Sequence, residues 1–316
     1  MKKVLVTGGS GFIGSHVVDK LAAAGVEPRI FDMVQSPFHP EGTVDTYIGE
    51  LGDLEALTAA MQGCDAVLHL AAVADVGQVA LDPVFAEQVN SKGTLNVLQA
   101  ARDAGVGRVV YASTIWVYDG FSADQVDEDS PLGLPKHLYT ATKIAGEMYC
   151  TSYAELYGVE YTILRFGIPY GTRARPAAVV PQFVKKALAG EPLTIAGKGD
   201  QTRRFVYVED LAEGCVAGLQ PQAANRVFNL VGTEETTILE IAEVVRDLLG
   251  DVDIVHVPGR PGDFKGAVVD HRRAEQELGW TATTSFRDGV VKYLDWHRET
   301  HAGERTAEPV ADPSGD

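Results

Sequence analysis

An apolar run, Lys3-Val4-Leu5-Val6, leads straight into Thr7-Gly8-Gly9-Ser10-Gly11-Phe12-Ile13-Gly14, and no other segment narrows the choice of fold so far. Gly9, Gly11 and Gly14 satisfy GxGxxG, while Gly8, Gly11 and Gly14 satisfy GxxGxxG. Glycine is needed where backbone must approach a pyrophosphate and where a strand and the next helix nearly touch. The amides that open the helix then face the phosphates. In a chain with 33 glycines the spacing alone is weak, but an apolar strand precedes it and a helical pattern follows. The loop therefore predicts a parallel α/β sheet that binds a dinucleotide.

Asp32 closes the second strand-like run at the distance expected of an acid that binds the adenosine ribose. A carboxylate there accepts from the 2′- and 3′-hydroxyls and repels a 2′-phosphate. Met33 and Val34 follow it, with no arginine, so NAD is expected over NADP. Asp53, in Gly52-Asp53-Leu54, fits either a contact with the adenine amino group or the N-cap of the next helix.

Strand-like runs at 3–7, 27–32, 66–71 and 108–113 alternate with helical spacing at 13–24, 53–61, 85–104 and 139–156. That alternation predicts an α/β fold, a Rossmann-type doubly wound parallel sheet with helices on both faces. It covers 1–165, with segments returning near 205–231: a helix from about Glu209 and a strand at 226–230. From residue 166 prolines punctuate shorter elements, as expected of a smaller α/β substrate-binding lobe running to 301. Residues 302–316 are small and polar and are expected to be disordered.

With 44 acidic against 27 basic residues the formal charge is -17. This argues against a nucleic-acid binder and against docking on anionic membranes. Cys64, Cys150 and Cys215 form no CxxC, which suits buried thiols in the cytoplasm. No apolar run is long enough to span a bilayer. His297 and His301 have i, i+4 spacing but no third ligand nearby, so no metal is expected.

Tyr139-Thr140-Ala141-Thr142-Lys143 sets a phenol and an ammonium four residues apart on one helix face. The positive charge should bring the phenol closer to working pH, so that it serves as general base toward a hydroxyl and as acid on return. Ser113 and Thr114 end a strand, where ligands bind in open α/β sheets.

Together these motifs resemble the extended short-chain dehydrogenase/reductases of the NAD-dependent epimerase/dehydratase group, which act on nucleotide sugars. The resemblance runs from about Lys3 to Trp280. It includes His69-Leu70-Ala71-Ala72, Asn90 in VNSKGTLNV, ASTIWVY, the run from Glu128 through Pro131 and Pro135 to Tyr139 and Lys143, Gln201-Thr202-Arg203 and Arg260-Pro261-Gly262-Asp263. It implies that Thr114, Tyr139 and Lys143 are catalytic. Cofactor contacts are implied for Gly8, Gly11, Phe12, Ile13, Gly14, Asp32, Asp53, Leu54, Leu70, Ala71, Ala72, Asn90, Tyr139 and Lys143. Ser113 and Thr114 would meet the sugar, and Arg203 and Arg260 the nucleotide diphosphate. A homodimer is implied, packed through the helix after Asn90 and the Tyr139 helix.

Dehydratases and uronate decarboxylases of the group usually carry a carboxylate just after the catalytic threonine; here Ile115 and Trp116 follow Thr114. The expected reaction is therefore 4-epimerisation of a nucleotide-diphosphate sugar, UDP-hexose or UDP-hexuronate, through a 4-keto intermediate. A 4-ketosugar reductase, a dehydratase and a non-catalytic NAD-sensing scaffold are the alternatives. Asp119 stands where the group has a glycine, and Ile168 where an asparagine often contacts the diphosphate. Arg204, in place of a frequent aspartate, reads as a solvated surface arginine rather than a partner for a uronate.

Overall fold

The computed structural model describes residues 1–120, 124–250, 252–258 and 268–301. Arg260 and the tail from 302 lie outside them. In β1 (Lys3–Thr7) the apolar residues alternate between two cores. Val4 and Val6 pack with Val17, Val18 and Leu21 of α1 (Phe12–Ala23), while Leu5 faces the opposite layer with Leu57, Val97 and Leu98. A strand buried on both faces requires helices on both, as parallel sheets do.

From β1 the chain builds outward through β2 (Glu27–Asp32) and β3 (Asp45–Ile48). It then crosses by α2 (Leu54–Met61) to β4 (Ala66–His69), on the other side of β1. Next come α3 (Val76–Leu81), α4 (Pro83–Glu87), a π turn at Gln88–Lys92, α5 (Gly93–Ala104) and β5 (Arg108–Thr114). They are followed by β6 (Gln125–Val126), α6 (Leu138–Tyr157) and β7 (Glu160–Phe166).

A smaller lobe starts with β8 (Ile168–Tyr170), α7 (Val179–Leu188), β9 (Leu193–Ala196), β10 (Thr202–Arg203) and β11 (Phe205–Tyr207). Then α8 (Val208–Ala217) packs back on α1, and β12 (Arg226–Leu230) joins the main sheet beside β7. The remaining elements are β13 (Thr236–Thr237), α9 (Ile238–Leu249), β14 (Ile254–Val257), β15 (Val268–Val269), α10 (Arg272–Leu278) and α11 (Phe286–Thr300). The lobe has its own aromatic-rich core, with Tyr170, Phe205, Tyr207 and Phe286 at its centre.

The seven-stranded sheet is parallel, in the order β12-β7-β5-β4-β1-β2-β3. Connections run outward in opposite directions from β1 and β4, so a crevice opens beyond their carboxyl ends, where ligands bind in such sheets. Among the described residues no helix is long and apolar enough to cross a membrane.

Two elements differ from the sequence expectation. β4 stops at His69 rather than at 71, because the backbone of Ala71 comes against the glycine loop: a Cβ on Gly8 would lie 2.8 Å from Ala71 N. The helix expected over 85–104 starts at Pro83 and is interrupted by the π turn, which keeps Asn90 and Ser91 buried. Such insertions are frequent at functional sites.

Candidate active site

The glycine loop leaves β1 with Gly8 at φ +73, in the left-handed region, and Gly8 N donates to Phe31 O at 2.9 Å. Gly14 admits no side chain, since a Cβ there would lie 2.0 Å from Gly8 O. α1 begins at Phe12 behind Gly11, and no side chain caps it. Its first amides are therefore offered to an anion, which the helix dipole also favours. Asp32 ends β2 against this loop, accepting from Ser10 N at 3.0 Å and Met33 N at 2.7 Å.

Asp53 takes the capping alternative: its carboxylate accepts from Ala56 N at 2.9 Å and opens α2, with Leu54 beside it. The Asn90 side chain is engaged within the protein. It accepts from Val73 N at 2.8 Å and donates to Val73 O at 3.0 Å and Thr142 Oγ1 at 3.2 Å. His69, ahead of Leu70, Ala71 and Ala72, is buried with its ring 2.7 Å from Thr7 Oγ1 and 3.0 Å from Thr94 Oγ1. Burial drives its pKa down to about 3, so it is a neutral spacer.

At the carboxyl end of the sheet a cavity of about 300 Å³ receives Phe12 and Ile13 from α1, Thr114 from β5, Tyr139 from α6, and Ile168 and Arg175 from the smaller lobe. No aspartate or glutamate is among the described residues that line it. Trp116 lines it too, with its ring edge-on to Tyr139 at 6.2 Å.

Lys143 lies one turn after Tyr139, and its Nζ is 5.9 Å from the Tyr139 ring centroid. The ammonium donates to Ala112 O at 2.9 Å, which fixes it beneath the end of β5. The expected lowering of the phenol's pKa is not seen. Burial wins over charge and pushes Tyr139 up to about 12, with Arg175 as the cation that pulls it back. Burial likewise brings Lys143 down to about 8.

Ser113 lines the cavity while its hydroxyl donates to Glu147. Arg165 forks onto that carboxylate, Nη2–Oε2 2.7 Å and Nε–Oε1 3.0 Å, and reaches Tyr118 OH at 2.8 Å. Tyr118 donates to Asn229 Oδ1 at 2.8 Å, and Asn229 N donates to Glu128, which faces Arg273 at 3.6 Å. Glu128 thus ties the loop before α6 to β12 and α10.

Arg203 sits in β10, donates to Thr202 O at 2.8 Å, and its charge acts on Asp119, whose carboxyl burial raises. Arg204 corrects the expectation of a solvated side chain. It is largely buried and clamps Gly232 O at 3.2 Å and Thr233 O at 2.8 Å, as extended neighbours point to opposite sides. Sequence reasoning missed Arg175, Glu147 and Arg165. Glu147 had a signal, being four residues beyond Lys143 on the same helix face.

A family model described as NAD dependent epimerase/dehydratase matches residues 4–231. The UDP-glucose 4-epimerase of Mycolicibacterium smegmatis is 32% identical, over 94% of this chain and 98% of its own length. UDP-glucuronic acid decarboxylase 1 of Danio rerio is 33% identical, over 93% of this chain and 72% of its own. The crystal structure of the Thermus thermophilus UDP-glucose 4-epimerase complex with NAD matches at a TM-score of 0.85 and 33% identity, covering 94% of this chain and 99% of that one.

Proposed function

The chain belongs to the NAD dependent epimerase/dehydratase family, and from that premise we propose that it is an NAD-dependent nucleotide-sugar 4-epimerase of the UDP-hexose or UDP-hexuronate type. The observation that carries the reading is the make-up of the cavity: Thr114 and Tyr139 converge on it, and none of the described residues lining it is a carboxylate. Elimination of water from a sugar needs an added acid and base beside the carbons that lose it. Inversion by oxidation and reduction at one carbon needs only a group to move the hydroxyl proton and one to hold the oxygen.

The cofactor is NAD, and the chain's own residues fit it. Gly14 leaves no room for a Cβ beside Gly8, the N-terminus of α1 carries no side-chain cap, and Asp32 stands at the end of β2. Bound NAD supplies the acceptor, and later the donor, of the hydride at C4. Tyr139 draws the proton from O4 and returns it after the sugar has turned. Thr114 Oγ1 bonds the same oxygen, and Lys143, anchored on Ala112 O, holds the nicotinamide ribose. Apolar walls from Phe12, Trp116 and Ile168 exclude water from the flat 4-keto sugar. Arg203 binds the nucleotide diphosphate, as Arg260 does from outside the described residues.

A homodimer is the proposed assembly, formed on α5 and α6, where Leu95 and Met148 are exposed. Light scattering that finds a monomer at micromolar concentration removes it.

The activity is tested by incubating the protein with UDP-sugars and a trace of NAD, following C4 stereochemistry by NMR and NADH by absorbance at 340 nm. A C4 epimer without net NADH supports the reading. Stoichiometric NADH change replaces it with a reductase, and silence with intact NAD binding replaces it with the scaffold.

A further inference from the structure

Asp19, on α1 and apart from the residues that line the cavity, holds two distant segments at once. Its Oδ1 lies 3.0 Å from His39 Nε2, on the segment that links β2 to β3, and its Oδ2 accepts from Arg173 Nη1 at 2.8 Å. Arg173 belongs to the smaller lobe, in a turn closed by Ala174 N donating to Gly171 O at 3.3 Å, and its guanidinium covers the Phe38 ring at 4.8 Å. It takes φ +62, a left-handed conformation that a residue other than glycine keeps only where its surroundings hold it. Burial alone would raise the Asp19 carboxyl, but His39 and Arg173 outweigh it and hold it below its ordinary value. Between Met33 and Thr43 only Ser36 and His39 are buried. The other ring nitrogen of His39 is 2.8 Å from Ser36 Oγ, which also accepts from Phe38 N at 3.2 Å. A neutral imidazole protonated at Nε2 serves both contacts, donating to Asp19 and accepting from Ser36.

We infer that the segment from Met33 to Thr43 is a strap at the adenosine end of the cofactor site, and that Asp19 is the positioning residue that latches it and so keeps NAD in place. The strap leaves directly from Asp32, the acid placed to bind the adenosine ribose, and Val34 O accepts from Ser10 Oγ of the glycine loop at 2.8 Å. Asp32 itself accepts from Ser10 N at 3.0 Å. Movement of the strap is therefore passed to the ribose acid and to the loop that faces the pyrophosphate. With only two buried residues the strap has too little core of its own to stay down, and Asp19 supplies the missing anchor. Arg173 lies in sequence between Tyr170 and Arg175, both at the cavity, so the same carboxylate ties the strap to the lobe that walls the cavity. This role depends on NAD as the cofactor and not on the reaction at C4.

The test measures NADH release: NADH-loaded protein is mixed with excess NAD, and the loss of bound NADH fluorescence is followed by stopped flow. Asp19→Asn, which removes the charge from both contacts, should speed release about 10-fold, the combined scale of two partly exposed polar pairs. NADH association should stay within about twofold of the wild type, because a latch acts on escape. Arg173→Met, which breaks one contact and spares the other, should fall between. Lys20→Met is the control: it breaks another tie of α1, Lys20 Nζ to Glu213 Oε1 at 2.7 Å on α8, and should release NADH at the wild-type rate. Hydrogen exchange over 33–43 should quicken in Asp19→Asn and stay unchanged in Lys20→Met. Release within about twofold of the wild type in Asp19→Asn overturns the inference. So does an equal rise in Lys20→Met, which would assign the effect to general loosening of α1. Faster release with unchanged exchange over 33–43 also overturns it, since Asp19 would then act elsewhere than on the strap. If the wild type binds no NADH, the cofactor assignment falls and the latch falls with it.

Discussion

Arg165 and Glu147 form a two-point ion pair, 2.7 and 3.0 Å, with both side chains buried behind the floor of the cavity. Arg165 stands on β7 in register with Ser113 of β5, while Glu147 lies on α6, two turns beyond Tyr139. The pair therefore locks β7 to the helix that presents Tyr139 and Lys143, and Ser113, which donates to the same Glu147, ties in β5, the strand that presents Thr114. Removing one partner leaves a buried charge uncompensated, so Glu147→Gln should cost about 3–5 kcal/mol of stability. Urea denaturation checks this. A loss below about 1 kcal/mol, the range of exposed pairs, would show that the lock is not structural.

Tyr139 starts from a phenol pKa pushed up to about 12, so its reactive form is scarce at neutral pH. The rate of C4 oxidation should rise as pH goes from 7 to 9, because deprotonation of a group with a raised pKa grows over that range. Tyr139→Phe should lose about 10³-fold in turnover while NAD titrates as in the wild type. Single-turnover kinetics against pH tests both, and turnover near the wild-type level in Tyr139→Phe would remove it as the base.

The glycine loop, Thr114 and the Tyr139–Lys143 pair were legible because each is a local pattern, set by spacing within a single turn or at a strand end. Arg175 was not, because its place beside Tyr139 depends on how the loop between β8 and α7 folds over the sheet. The electrostatics of Tyr139 were misjudged for a related reason. Spacing shows that an ammonium is near the phenol but not how deeply both are buried, and burial outweighs the charge. Arg204 was misread because pleat direction at a single residue, not composition, decides which way a side chain leaves the chain.

Gly14 should tolerate no replacement. The Cβ of Gly14→Ala would fall 2.0 Å from Gly8 O, and that neighbour is backbone that cannot rotate aside. The loop must open, and the α1 amides lose their aim, so NAD affinity should drop at least about 100-fold, a loss of roughly 3 kcal/mol. Fluorescence titration with NADH measures it. A variant that binds within about threefold of the wild type would show that the approach of α1 to β1 does not shape the site.

His69 should make the fold sensitive to acid. Its ring is buried between Thr7 and Thr94, and its pKa is brought down to about 3 from an ordinary 6.5. The folded protein refuses a proton that the unfolded chain accepts. Stability contributed by the neutral ring is therefore whole above about pH 6.5 and drains away as pH falls toward 3, by on the order of 5 kcal/mol in full. The wild type should lose urea resistance steeply between pH 6.5 and 4.5. His69→Gln keeps a polar side chain but cannot be protonated, so it should be less stable at pH 7.5 and show a shallower slope below it. Parallel slopes for the two proteins would assign the acid loss to other groups, since a single side chain that does not titrate in the folded state must leave its mark on the difference.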